Sequence, residues 1–261
     1  MSNLAYQMVI DGMTWSHSRI ETYRDCPYRF FLKYFCEYEE CPQFYASYGS
    51  FVHKLIEKYY KGEIKENDLT MKFLSGFHQS VLGNRPKDSI VKKYIEKGVD
   101  YFDNFLPFDF NPVAVEQKIE FNVGGRDFIG FIDFIGEKDG ELYVVDNKSR
   151  ELKPRSHREK STAKDRELDE MLGQLYLYSA GINQVYGRFP KALCFNCFRN
   201  RTFIEEEFDE CVYCKTIEHI NETIRDIRNT ERFYPQPDFF KCRYICGLND
   251  YCEYFQMMKK D

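Results

Sequence analysis

Two largely apolar segments, 128–135 and 142–148, face each other across the dipeptide Asp139-Gly140. Asp-Gly between such segments is a strong signal for a tight hairpin turn, because the favoured turn needs positive φ at its central residues. A two-residue turn centred there pairs positions whose numbers sum to 279, as 139 and 140 do. Asp133 then stands opposite Asp146, with side-chain roots roughly 4.5–5.5 Å apart on one face. Lys148, two residues beyond Asp146, projects to the same face. These carboxylates are set among Phe131, Ile132, Phe134, Val144 and Val145. Opposed and crowded by apolar neighbours, they call for a positive group between them. A divalent ion such as Mg²⁺ or Mn²⁺ answers with hard-oxygen coordination and retained waters. Lys148 would then serve the attacking water or the charge developing on a phosphate. The plainer alternative is an Asp–Lys salt bridge on a solvated sheet face, since D-x-K alone is a common string.

The rest of the chain supplies helices before and after this hairpin. Ser18-x-x-Glu21 has the capping-box pattern and predicts a short helix. Cys26-Pro27 ends it and begins another, Pro being accepted at a first helical position. Val52, Leu55, Ile56 and Tyr59 repeat at helical spacing, and amphipathic helix is expected to continue to about Phe105. Val115–Val123 alternates as a strand, and Gly124-Gly125 turns it toward the hairpin. Further on, Glu167–Ala180 reads as a helix, Ala192–Phe208 as a strand or hairpin, and Val212–Arg228 as a helix. No linker divides the chain. The expected organisation is one domain with a helical region over 1–110, a core over 111–232 and a cysteine-rich tail over 233–261, of α/β or α+β class.

Set in this order, the residues resemble a known family. Gly130-Phe-Ile-Asp133 followed by Val144-Val-Asp146-Asn-Lys148 is similar to the central motif of PD-(D/E)XK nucleases. The likeness is nearest the RecB-like branch of CRISPR-associated and AddB-type iron–sulfur exonucleases. It implies a restriction-endonuclease-like core, a central mixed sheet flanked by helices, with catalytic Asp133, Asp146 and Lys148. It further implies a metal held by His53, Asp133, Asp146 and the Asn147 backbone carbonyl, with Glu116 as an additional site residue. Gln174 and Tyr178 match a Gln-x-x-x-Tyr motif whose spacing puts both on one helix face, where they would contact DNA and the catalytic lysine. The implied activity is metal-dependent DNA hydrolysis, as an exonuclease in repair, recombination, phage or CRISPR-related processing. Helicase, recombination or CRISPR complexes are the implied partners.

Charge and cysteines are read beside that resemblance. The net charge of −5 offers no general phosphate-binding surface. Eight Lys or Arg and three acids nevertheless lie between Lys148 and Arg166. Charge alone fits a solvated, mobile loop; the motif set adds a clamp over a DNA backbone, with Arg150, Lys153 and Arg155 as contacts. Ten cysteines follow an N-terminus without a basic start or sustained apolar stretch, so a cytoplasmic location is expected and a disulfide framework is not. Cys26, Cys242, Cys246 and Cys252 resemble the branch's iron–sulfur ligands, which implies a [4Fe–4S] cluster. Their C-x₃-C-x₅-C tail departs from the usual C-x₂-C, which leaves zinc or unligated thiols open. Cys194-x₂-Cys197 and Cys211-x₂-Cys214 form a competing zinc-ribbon spacing. Two other functional classes stand beside the nuclease: a catalytically silent DNA-binding module of the same fold, or a purely structural metal protein. A partner-dependent endonuclease is the enzyme alternative.

Overall fold

The computed structural model describes residues 3–156, 158 and 160–258. Among them, six α-helices precede the sheet: α1 (Asn3–Asp11), α2 (His17–Asp25), α3 (Pro27–Tyr34), α4 (Phe44–Tyr60), α5 (Leu69–Ser80) and α6 (Asp88–Asp103). The strands β1 (Asn111–Val123), β2 (Arg126–Lys138) and β3 (Glu141–Lys148) follow, then α7 (Ala163–Tyr186), β4 (Ala192–Cys197) and β5 (Thr202–Glu207). The chain closes with α8 (Glu210–Asn229), α9 (Phe239–Tyr244) and α10 (Glu253–Met258). The five strands form one sheet in the order β1-β2-β3-β4-β5. β3 and β4 are parallel while every other pair is antiparallel. The parallel pair follows from α7, a crossover that returns the chain to the same edge. This is the mixed sheet flanked by helices that the sequence implied.

Both hairpin turns are where Asp-Gly and Gly-Gly placed them: Gly124, Gly125, Asp139 and Gly140 all have positive φ. Two helix limits differ from expectation. α2 starts at His17, with Ser16 rather than Ser18 accepting from the Arg19 amide. α7 is 24 residues long and begins at a true capping box formed by Thr162 and Asp165. It ends at Gly187, which takes the left-handed conformation that glycine tolerates. Cys26 does terminate one helix and start the next, its Sγ accepting from the Arg29 amide at 3.4 Å.

The sheet buries both faces. One packs on α7 and α8 through Ile119, Phe121, Val144, Leu193 and Phe195 against Leu172, Leu175, Tyr176 and Ile224. The other carries Phe134, Val145 and Cys194, which meet Tyr60 of α4 and Phe108. Helices α4, α5 and α6 pack around Tyr48, Phe73 and Phe102. The two ends of the chain also meet: Phe233 touches the rings of Tyr6, Phe30, Phe31 and Phe35. Among the described residues, no helix is long and apolar enough to cross a membrane.

Candidate active site

The site lies where the sheet divides. β2 and β3 pair from Lys138–Glu141 to Phe134–Val145, in the register summing to 279. Past that pair, β2 continues on β1 and β3 continues on β4. Asp133 and Asp146 are therefore the first residues beyond the fork. Asp133 Oδ2 accepts from the Asn147 backbone N–H at 2.7 Å, which satisfies a β3 donor that β2 no longer reaches.

Other elements bring further groups to the fork. Glu116 lies on β1 between the pairs Val115–Phe134 and Gln117–Ile132, hence across from Asp133. Its φ of 53° is a left-handed conformation in mid-strand, uncommon for a side-chain-bearing residue and a source of local strain. His53, on α4, places Nδ1 3.2 Å from Asp133 Oδ2. One ligand atom each from His53, Glu116 and Asp133 fall within 4.8 Å of one another. Lys148 Nζ stands 2.8 Å from Asp146 Oδ2 and donates to Gln174 Oε1, also at 2.8 Å. Gln174 Nε2 in turn donates to the Tyr178 hydroxyl at 3.4 Å. Tyr178 is 7% exposed, and its ring lies over Gly130, where a Cβ would come within 2.6 Å of it.

Electrostatically the fork is an acidic cluster. Burial, and then Asp133 beside it, push the Glu116 carboxyl up to about 7. Burial and then Asp146 likewise hold Asp133 above the usual carboxylate range. Asp146 Oδ2 is buried and accepts no hydrogen bond, the Lys148 contact not being aligned as one. Raised carboxylates, the buried Asp146 Oδ2 in its ion pair with Lys148 and an adjacent imidazole are a hard donor set that fits a divalent cation.

Of the basic segment, Arg155 is committed elsewhere, bonded to Asp169 and Glu206 at 2.7 Å each. Arg150 is exposed and lies 3.7 Å from Glu167. Lys153 is exposed. His157 and Glu159 of this segment fall outside the described residues. Sequence reasoning gave no role to His17, at the start of α2, although it faces Lys148 and Asp146. Burial, with Lys148 adding, lowers its pKa to about 4. Nothing in its spacing marked it, since only the fold brings α2 to the end of β3.

The cysteines separate into two cases. The zinc-ribbon spacing is overturned: Cys194 and Cys197 are buried on opposite faces of β4, while Cys211 and Cys214 are exposed on α8. Cys26, Cys242, Cys246 and Cys252 instead line one cavity of about 50 Å³, together with Tyr28, Leu32 and Phe255. All ten cysteines are free.

The sequence profile of the PD-(D/E)XK nuclease superfamily matches residues 14–253, and the chain belongs to that superfamily. A crystal structure of a candidate exonuclease from Eubacterium rectale is similar in fold, with a TM-score of 0.51 at 10% identity, covering 94% of each chain. A second solved structure, SSO0001, is 19% identical over 78% of this chain and 95% of its own, but its TM-score of 0.29 supports no structural argument. No curated protein matches the chain.

Proposed function

We propose that the chain is a divalent-metal-dependent deoxyribonuclease acting as an exonuclease. The observation that carries the reading is the fork itself, where two aspartates just past the last β2–β3 pair meet a lysine fixed by Gln174. In this reading Asp133, Asp146, His53 and the Asn147 carbonyl hold Mg²⁺ or Mn²⁺, with Glu116 beside them. When bound, such an ion polarises the scissile phosphate and lowers the pKa of a water. Asp146 and Gln174 confine the Lys148 ammonium so that it faces developing phosphate charge without reorganising. Tyr178 positions Gln174 from the core side. Arg150 and Lys153 supply phosphate contacts next to the site. The exonuclease direction rests on the RecB-like motif order and on the exonuclease description of the Eubacterium rectale protein. The same motif order supports one nuclease domain working beside a helicase, recombination or CRISPR assembly.

We further propose that Cys26, Cys242, Cys246 and Cys252 bind a [4Fe–4S] cluster. Their convergence on one mostly apolar cavity supports it.

The test of the nuclease is degradation of end-labelled linear and closed circular DNA by the purified protein with Mg²⁺ or Mn²⁺, beside Asp146→Ala and Lys148→Ala. Loss of linear DNA that needs the ion, spares circles and vanishes in both variants is expected. Cutting of circles would make the enzyme an endonuclease. A folded, cluster-bearing wild type that cuts neither would turn the fold into a DNA-binding module.

A further inference from the structure

Behind the fork lies a buried polar network. Alternation along β3 sends Asp146 and Lys148 to one face and Asn147 to the other. There Asn196, the register partner of Asn147 on β4, donates its Nδ2 to Asn147 Oδ1 at 2.7 Å. The same Nδ2 donates to the Tyr101 hydroxyl of α6 at 2.8 Å. An amide nitrogen carries two hydrogens, so Asn196 serves both acceptors at once. Asn147 is 4% exposed, and Asn196 and Tyr101 are 6% each. Their surroundings include Val145, Cys194, Phe198 and Phe105, which favour apolar side chains at these positions. Three polar groups kept in such a place cost stability unless fully paired, and here they pair with one another.

The pairing has a geometric consequence. Asn147 is held from two sides, its backbone N–H by Asp133 and its side chain by Asn196. A satisfied buried network restricts motion more than apolar packing does. We propose that Asn196 and Tyr101 are positioning residues for the ion site, acting through Asn147 to fix the peptide whose carbonyl ligates the ion. The inference rests on the metal-dependent reading above. Groups that orient metal ligands typically account for roughly 10–100-fold in affinity, and this pair does so from the face of β3 opposite Asp146 and Lys148.

The experiment is calorimetric titration of Mn²⁺ into the desalted 261-residue chain, with thermal melts in parallel. It compares wild type, Asn196→Ala, Tyr101→Phe, Asn147→Ala and the Asn147→Ala/Asn196→Ala double variant. Asn196→Ala should weaken Mn²⁺ binding about tenfold or more, and add no further loss once Asn147 is alanine. Tyr101→Phe should move affinity the same way by a smaller amount. Unchanged affinity in a folded Asn196→Ala overturns the inference. So does an equal loss in the Asn147→Ala background, since Asn196 would then act by general loosening. If Asn196→Ala does not fold, Tyr101→Phe decides: a loss beyond about twofold supports the inference and none overturns it. A wild type that binds no Mn²⁺, or binds it equally after Asp133→Ala, removes the ion site and the inference with it.

Discussion

At the fork, protonation is part of the folding balance. Glu116 ionises at about 7 in the folded chain against 4.5 ordinarily, so the folded state holds this proton more tightly than the unfolded state. Its contribution is fully present below about pH 4.5 and is lost as pH rises through about 7. Asp133 shifts in the same direction. With divalent ions chelated, Tm should fall across that window, and Glu116→Gln should flatten the fall. Ion binding displaces these protons, so Mn²⁺ should raise Tm more at alkaline than at mildly acidic pH. A Mn²⁺ effect larger on the acidic side would contradict the site. Gly130 gives a second prediction at this scale. Its substitution by alanine drives a Cβ into Tyr178, which should cost about 1–3 kcal/mol in urea unfolding. Activity should drop further, because the displaced ring releases Gln174 from Lys148. Activity unchanged in folded Gly130→Ala would separate Tyr178 from the lysine. The opposition of Asp133 and Asp146 was legible because a period of two and an Asp-Gly turn fix register. The parting of β2 from β3 was not, since no local signal marks where a ladder stops.

Elements were legible where capping and periodicity act locally, and less so where tertiary contacts set the limits. Ser18-x-x-Glu21 and Ser16-x-x-Arg19 both offer a hydroxyl at a helix start. The choice falls to Ser16 because Trp15 is locked in extended form against β2, through Trp15 N–H to Asp127 O and Ile129 N–H to Trp15 O. The helix must therefore begin at once. α7 shows the converse: Thr162-x-x-Asp165 was a readable cap, but the basic run before it concealed the start of the helix. Thr162→Ala should cost about 1 kcal/mol, the usual loss of a side-chain cap. Gln174 sits three turns inside α7, beyond the reach of end fraying. Specific activity at low temperature should therefore stay at the wild-type level, and a loss there would mean the cap shapes the site.

For the whole molecule, the question is what joins the two ends of the chain. One device is aromatic: Phe233 meets Tyr6, Tyr23, Phe30, Phe31 and Phe35. The other would be the proposed cluster, tying Cys26 to Cys242 across 216 positions (242 − 26). A link closing so long a loop removes unfolded-state entropy worth on the order of 5 kcal/mol. The rings already hold the stretch up to Phe233, so the link acts chiefly on the residues beyond that ring. Cys26→Ser tests this cleanly, because Cys26 also caps α3 through its sulfur and serine is itself a good cap. The proposed ligation would be lost while the helix start survives. The variant should lose iron and its visible absorbance, and residues 233–258 should become the first protease-sensitive region. The sheet and α7 should stay protected in hydrogen exchange. Wild-type iron content and an equally resistant tail would show that the four thiols share a cavity without joining the ends.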